Sequence, residues 1–95
     1  MTAPLANIIK SRGMRPSEHY DRAKLHRSLK LTLLSERSHD GEADNTADKV
    51  CTGVERWLRE RPEVTSHDLR RIASKHLTRY NPGAAYIYEH HRHTI

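Results

Sequence analysis

The sequence predicts an α+β domain, in which a small three-stranded sheet, a β-hairpin plus one short strand, caps a four-helix cluster. Three observations predict it. Paired β-branched residues precede a glycine near the N-terminus, apolar residues recur at helical spacing in four later stretches, and turn or capping residues separate those stretches. Strands segregated at one end of a helical set define this class. With 95 residues, 35% of them apolar, the chain can fill one modest core, so residues 1–95 read as a single domain.

Ile8 and Ile9 ahead of Lys10-Ser11-Arg12-Gly13 read as a strand entering a turn, and Met14 to Tyr20 as its return, limited by Pro16 to an edge or a bulged position. Asp21 is an N-cap for a helix over Arg22 to Ser35, where Leu25, Leu29 and Leu33 fall every four residues. Glu36 to Asn45 lacks a large apolar residue, has Gly41 at its centre, and reads as a solvated loop. A second helix follows from Thr46 to Arg61 on the stripe Ala47, Val50, Cys51, Val54, Trp57 and Leu58; Pro62 ends it. Glu63-Val64-Thr65 is the third strand. Ser66 then caps a helix carrying Leu69, Ile72, Ala73, His76, Leu77 and Tyr80 on one face. Asn81 and Pro82 start a last helix toward Thr94, with Ala84, Ile87, Tyr88 and His91 on one side.

Composition narrows the function. Seventeen Lys and Arg against twelve Asp and Glu give a net charge of +5 at pH 7, which points to an anionic partner. No apolar run is long enough to span a membrane and no signal peptide is visible, so the chain reads as cytoplasmic. The single cysteine, Cys51, excludes an intramolecular disulfide and a multi-cysteine zinc site, and its place on an apolar stripe marks it as an inert core residue. No Walker-type glycine loop is present and no Ser-His-Asp set is suggested by spacing, so an enzyme is not expected.

The order of motifs resembles the ATP-cone, the regulatory nucleotide-binding module of ribonucleotide reductases and of the transcriptional repressor of their genes. The matching stretches are Ile8-Ile9-Lys10-Ser11-Arg12-Gly13, then Glu18-His19-Tyr20-Asp21, then Lys24-Leu25-His26-Arg27-Ser28-Leu29, Val64 to Leu69, and Ala85-Tyr86. Ser11 and Arg12 stand where that family carries Arg and Asp. The resemblance implies a free-standing cone that binds ATP or dATP, with or without Mg2+, as effector. It implies Lys10 and Lys24 toward the phosphates; by charge, Arg12 at the hairpin turn can converge on the same anion. Glu18 and Asp21 would lie near ribose or base, with Ser66, Arg70 and Tyr86 lining the pocket. It also implies regulation by association, with a second copy or with a partner chain such as ribonucleotide reductase or a transcription regulator.

The alternative is a small basic nucleic-acid-binding or transcription-regulating protein, in which Arg22, Lys24, Arg27 and Lys30 form a phosphate-contacting face and Arg70 and Arg71 open a recognition helix. His90 and His93, three apart and preceded by Glu89, have metal-ligand spacing; solvated histidines at a chain end are the ordinary reading of it.

Overall fold

The computed structural model describes residues 7–9, 18–61 and 63–90, and among these residues four helices carry the fold. The order is β1 (Asn7–Ile9), β2 (Glu18–His19), α1 (Arg22–Ser35), α2 (Asp40–Leu58), β3 (Glu63–Thr65), α3 (Ser66–Leu77) and α4 (Pro82–His90). The hairpin turn, Pro62 and the chain beyond His90 lie outside the described residues.

The α+β expectation is corrected: the molecule is mostly helical. Helices of 14, 19, 12 and 9 residues stand against extended segments of 3, 2 and 3. The segments pair in the order β2-β1-β3, Ile8 facing Glu18 in the antiparallel pair and Ile9 facing Thr65 in the parallel one. A ribbon this short cannot form a layer that caps four helices. Ile8 and Val64 are its buried side chains among those described, while the helices supply the rest of the core.

α1 forms as its leucine spacing dictates. Asp21 accepts from the backbone N–H of Ala23 and Lys24, at 3.0 and 3.4 Å, and so satisfies two of the donors that a helix start leaves open. Leu25, Leu29 and Leu33 are buried, and each contributes about 1.5–3 kcal/mol. The helix ends in a left-handed turn. Arg37 has φ 65°, with Ser38 N–H bonded to the Leu33 carbonyl and Arg37 N–H to that of Leu34. Glycine usually occupies such a position, and a side chain there costs about 1 kcal/mol.

The expected loop from Glu36 to Asn45 is largely helix. α2 begins at Asp40, where Asp40 and Glu42 complement the positive helix start, and Ala43 and Ala47 are fully buried. Small apolar residues carry the stripe here, which is why a search for large ones misses it. At the other end α2 stops at Leu58, before Arg61. There the Arg61 guanidinium lies 4.5 Å from the Trp57 ring, and Trp57 packs on the core while only half buried.

α3 is capped by Thr65 and not by Ser66. The Thr65 hydroxyl accepts from Asp68 N–H at 3.0 Å, leaving Ser66 as the first helical residue. The helix ends at Leu77, so the predicted stripe is cut short of Tyr80, which is 48% exposed. The Asn81 side chain accepts from Ala84 N–H at 3.0 Å and starts α4. α1 packs on α2, α2 on α3, α3 on α4 and α4 back on α1. Cys51 lies fully buried inside this ring, and burial pushes its thiol up to about 12.

Candidate functional site

The parallel pairing of β1 with β3 sets the geometry of the expected nucleotide site. Because Ile9 faces Thr65, the chain leaves β1 beside the N-terminus of α3. Lys10 and Arg12 follow in sequence and lie outside the described residues, and of Glu18 only the backbone pairing with Ile8 is described. Asp21 is occupied as the cap of α1. Lys24, half buried, stands on the first turn of that helix.

Ser66 and Arg70 are four apart on α3 and share a face. Arg70 donates to the Tyr88 carbonyl at 3.1 Å and holds its guanidinium 5.2 Å from the Tyr88 ring centre. The Tyr88 hydroxyl in turn shares a buried 2.9 Å hydrogen bond with Ser28 Oγ, one helical turn beyond Lys24. Burial raises the Tyr88 phenol, and the Ser28 bond and Arg70 partly offset that. A chain of contacts, Ser28–Tyr88–Arg70, therefore joins the α1 face that carries Lys24 to the α3 face that carries Ser66. Tyr86 is not part of it. Two residues from Tyr88, it points away from the core, is 63% exposed and lies against His90 at 4.4 Å.

Sequence reasoning missed two charged regions. Between α1 and α2 runs an antiparallel ladder in which Arg22 meets Glu55 at 2.8 Å and Asp48 at 3.5 Å. His26 Nε2 lies 3.4 Å from Asp48 and 3.7 Å from Asp44, and Lys30 Nζ lies 3.1 Å from Asp44 and 3.3 Å from Asp40. The bond to Glu55 raises the Arg22 pKa, and the bonds to Asp44 and Asp40 raise that of Lys30. The Tyr20 hydroxyl donates to Glu55 at 2.9 Å; burial first, then its neighbours Cys51 and Glu55, raises that phenol. Two of the four cations of the expected phosphate-contacting face of α1, Arg22 and Lys30, are thus committed to α2. The signal was available: Asp40, Asp44 and Asp48 repeat every four residues, in step with Arg22, His26 and Lys30.

Between α2 and α3 lies an open groove of about 300 Å3 lined by Lys49, Thr52, Arg56, His76, Arg79 and Tyr80. The Lys49 ammonium stands 5.6 Å from the Tyr80 ring centre. Among the described residues Arg56 and Arg79 form no ion pair. Gly53 makes the floor possible, since a Cβ there would lie 2.8 Å from His76 Nδ1. Burial lowers the His76 pKa, and the positive charges of Arg79, Lys75 and Arg56 lower it further.

No family model, curated protein or solved structure matches this chain. Among the described residues no helix is long and apolar enough to cross a membrane, and no group of three or more His, Cys, Asp or Glu is placed to hold a metal ion. His90 Nε2 approaches Glu89 at 3.9 Å, and His93 lies outside the described residues.

Proposed function

We propose that this protein is an adenine-nucleotide-binding regulatory domain of the ATP-cone kind. In this reading, ATP or dATP changes its association with a second copy or with a partner chain such as ribonucleotide reductase, in the cytoplasm. The observation that carries the reading is the in-register pairing of Ile9 with Thr65. It sets the end of β1 beside the start of a 12-residue helix, where backbone N–H groups and the helix dipole favour phosphate, and the sequence continues from β1 with a lysine. Lys24 and the Ser66–Arg70 face, linked through Tyr88, supply further cationic and hydroxyl donors of the type a triphosphate needs. Arg12 supplies a second positive charge in the sequence, and in this reading Glu18 and the Asp21 oxygen that the cap leaves open accept from ribose or base, whereas Tyr86 lies apart from this face.

Calorimetric titration with ATP and with dATP, with and without Mg2+, tests this against a Lys10→Ala variant. A saturable heat is expected with at least one nucleotide. At a hundredfold excess over Kd, stabilisation by about 2.7 kcal/mol raises Tm by about 10 °C or more. Lys10→Ala should weaken binding by about tenfold, the loss of one charge-assisted contact. No heat and no Tm shift with either nucleotide would refute the reading.

A further inference from the structure

We propose that the groove between α2 and α3 binds single-stranded nucleic acid, at a site separate from the one proposed for the mononucleotide. Arg56 and Arg79 carry the observation: among the described residues no carboxylate pairs with either, and both line one groove with Lys49. Asp48, the one carboxylate at its edge, is turned to Arg22 and His26 on the α1 side. Three positive charges therefore line this groove against one carboxylate that is paired on the α1 side. A strand backbone is the ligand that such a lining recognises, because it offers repeated negative charge at no cost in sequence.

Two further features separate a strand from other anions. Lys49 and Arg56 are seven residues apart on α2, about 10 Å along the helix. Successive phosphates of a strand match that spacing better than a single phosphate does. Tyr80 stands at the groove with its ring half exposed, a platform on which a base can stack while Arg79, one residue before it, takes the adjoining phosphate. An acidic peptide fits less well. The lining contains no aliphatic side chain to hold an apolar anchor, and Gly53 leaves the floor to the His76 ring.

Fluorescence anisotropy with labelled ten-nucleotide DNA and RNA, at 25 to 200 mM NaCl, tests the proposal on the full chain. Three groove cations predict that log K falls against log salt with a slope of about −2, or about 0.7 per cation. Arg56→Ala with Arg79→Ala should bring the slope to about −0.7 and reduce low-salt affinity by more than tenfold, while leaving any ATP titration as it was. Tyr80→Ala should lower affinity at least about fivefold with the slope unchanged, as expected for a stacking ring. Circular dichroism confirms that each variant is folded. The proposal fails if the oligonucleotide does not bind at 25 mM NaCl, or if the double variant binds as the parent does. It also fails if ATP or poly-glutamate displaces the oligonucleotide at the concentration of competing strand, which would mark a mononucleotide site or an unselective anion patch.

Discussion

The two flanks of α2 hold similar charges and use them in opposite ways. Toward α1, three aspartates and Glu55 each meet a cation across the seam, so positive and negative charge cancel where the helices touch. Toward α3, Lys49 and Arg56 face His76, Arg79 and Tyr80, and charge of one sign accumulates in a groove. A net charge of +5 therefore describes no particular surface until the pairing is known. Two of the four cations that sequence spacing singled out on α1, Arg22 and Lys30, are already bound to acids. Lys49, Arg56 and Arg79, across α2 from them, form no ion pair among the described residues.

The largest effect expected is on the paired flank. Glu55→Ala strips a bond from the Tyr20 hydroxyl and from Arg22, and should cost about 2 kcal/mol, read as a fall in Tm of about 10 °C. A loss near zero would mean that the seam is solvated and contributes nothing.

Next comes a contrast between two glycines of the same helix. Gly41 has open space around it, so Gly41→Ala should stabilise by up to about 1 kcal/mol through helix propensity. Gly53→Ala should give no such gain, because its Cβ meets His76 at 2.8 Å. With His76→Ala behind it, Gly53→Ala should recover about 1 kcal/mol. Urea melts of the four variants check this, and equal gains at both glycines would show that the His76 ring moves aside without cost.

Lys30→Ala should destabilise less than Glu55→Ala does, and its effect should vanish in about 1 M NaCl, where exposed pairs are screened. The smallest effect is a pH dependence from the unpaired flank. Because His76 titrates lower in the folded chain, its contribution to stability is full above its ordinary value near 6.5 and is lost as pH falls through the folded value. Lys49, Arg56, Lys75 and Arg79 are the charges around it, with Asp48 at the edge. Stability measured at pH 7.5 and 5.5 should drop more for the parent than for His76→Asn. A larger drop in the variant would reverse the sign and place His76 among acids.

How much of this was legible follows from where small residues carry the pattern. The four-residue leucine repeat and Asp21 located α1 to the residue, and Val50 to Leu58 located the body of α2. The start of α2 was hidden because Ala43 and Ala47 bury little surface yet fit where helices approach closely, and because Arg37 holds a turn that glycine usually marks. That one misreading had a further effect. With Asp40 and Asp44 assigned to a loop, their step-for-step match to α1 was invisible, and Arg22 and Lys30 looked available to phosphate. The cap at Thr65 was obscured by an adjacent hydroxyl on Ser66, which only the bond to Asp68 N–H distinguishes. For the candidate site, the sequence offered Lys24, Ser66 and Arg70. It offered no sign that a tyrosine buried in α4 joins their two helices, since a hydrogen bond across 60 residues has no local period.

The place of β1 between β2 and β3 has a consequence for folding order and for signalling alike. Its antiparallel partner is close in sequence, but its parallel partner lies beyond the whole of α1 and α2. The helices can therefore collapse on one another before this three-residue segment docks, and its docking closes a loop that contains both α1 and α2. Once seated, it touches the lead-in to α1 on one side and the lead-in to α3 on the other. A tug at this short piece of backbone is delivered to both helices at once, so the least extensive element of the fold is also its central lever.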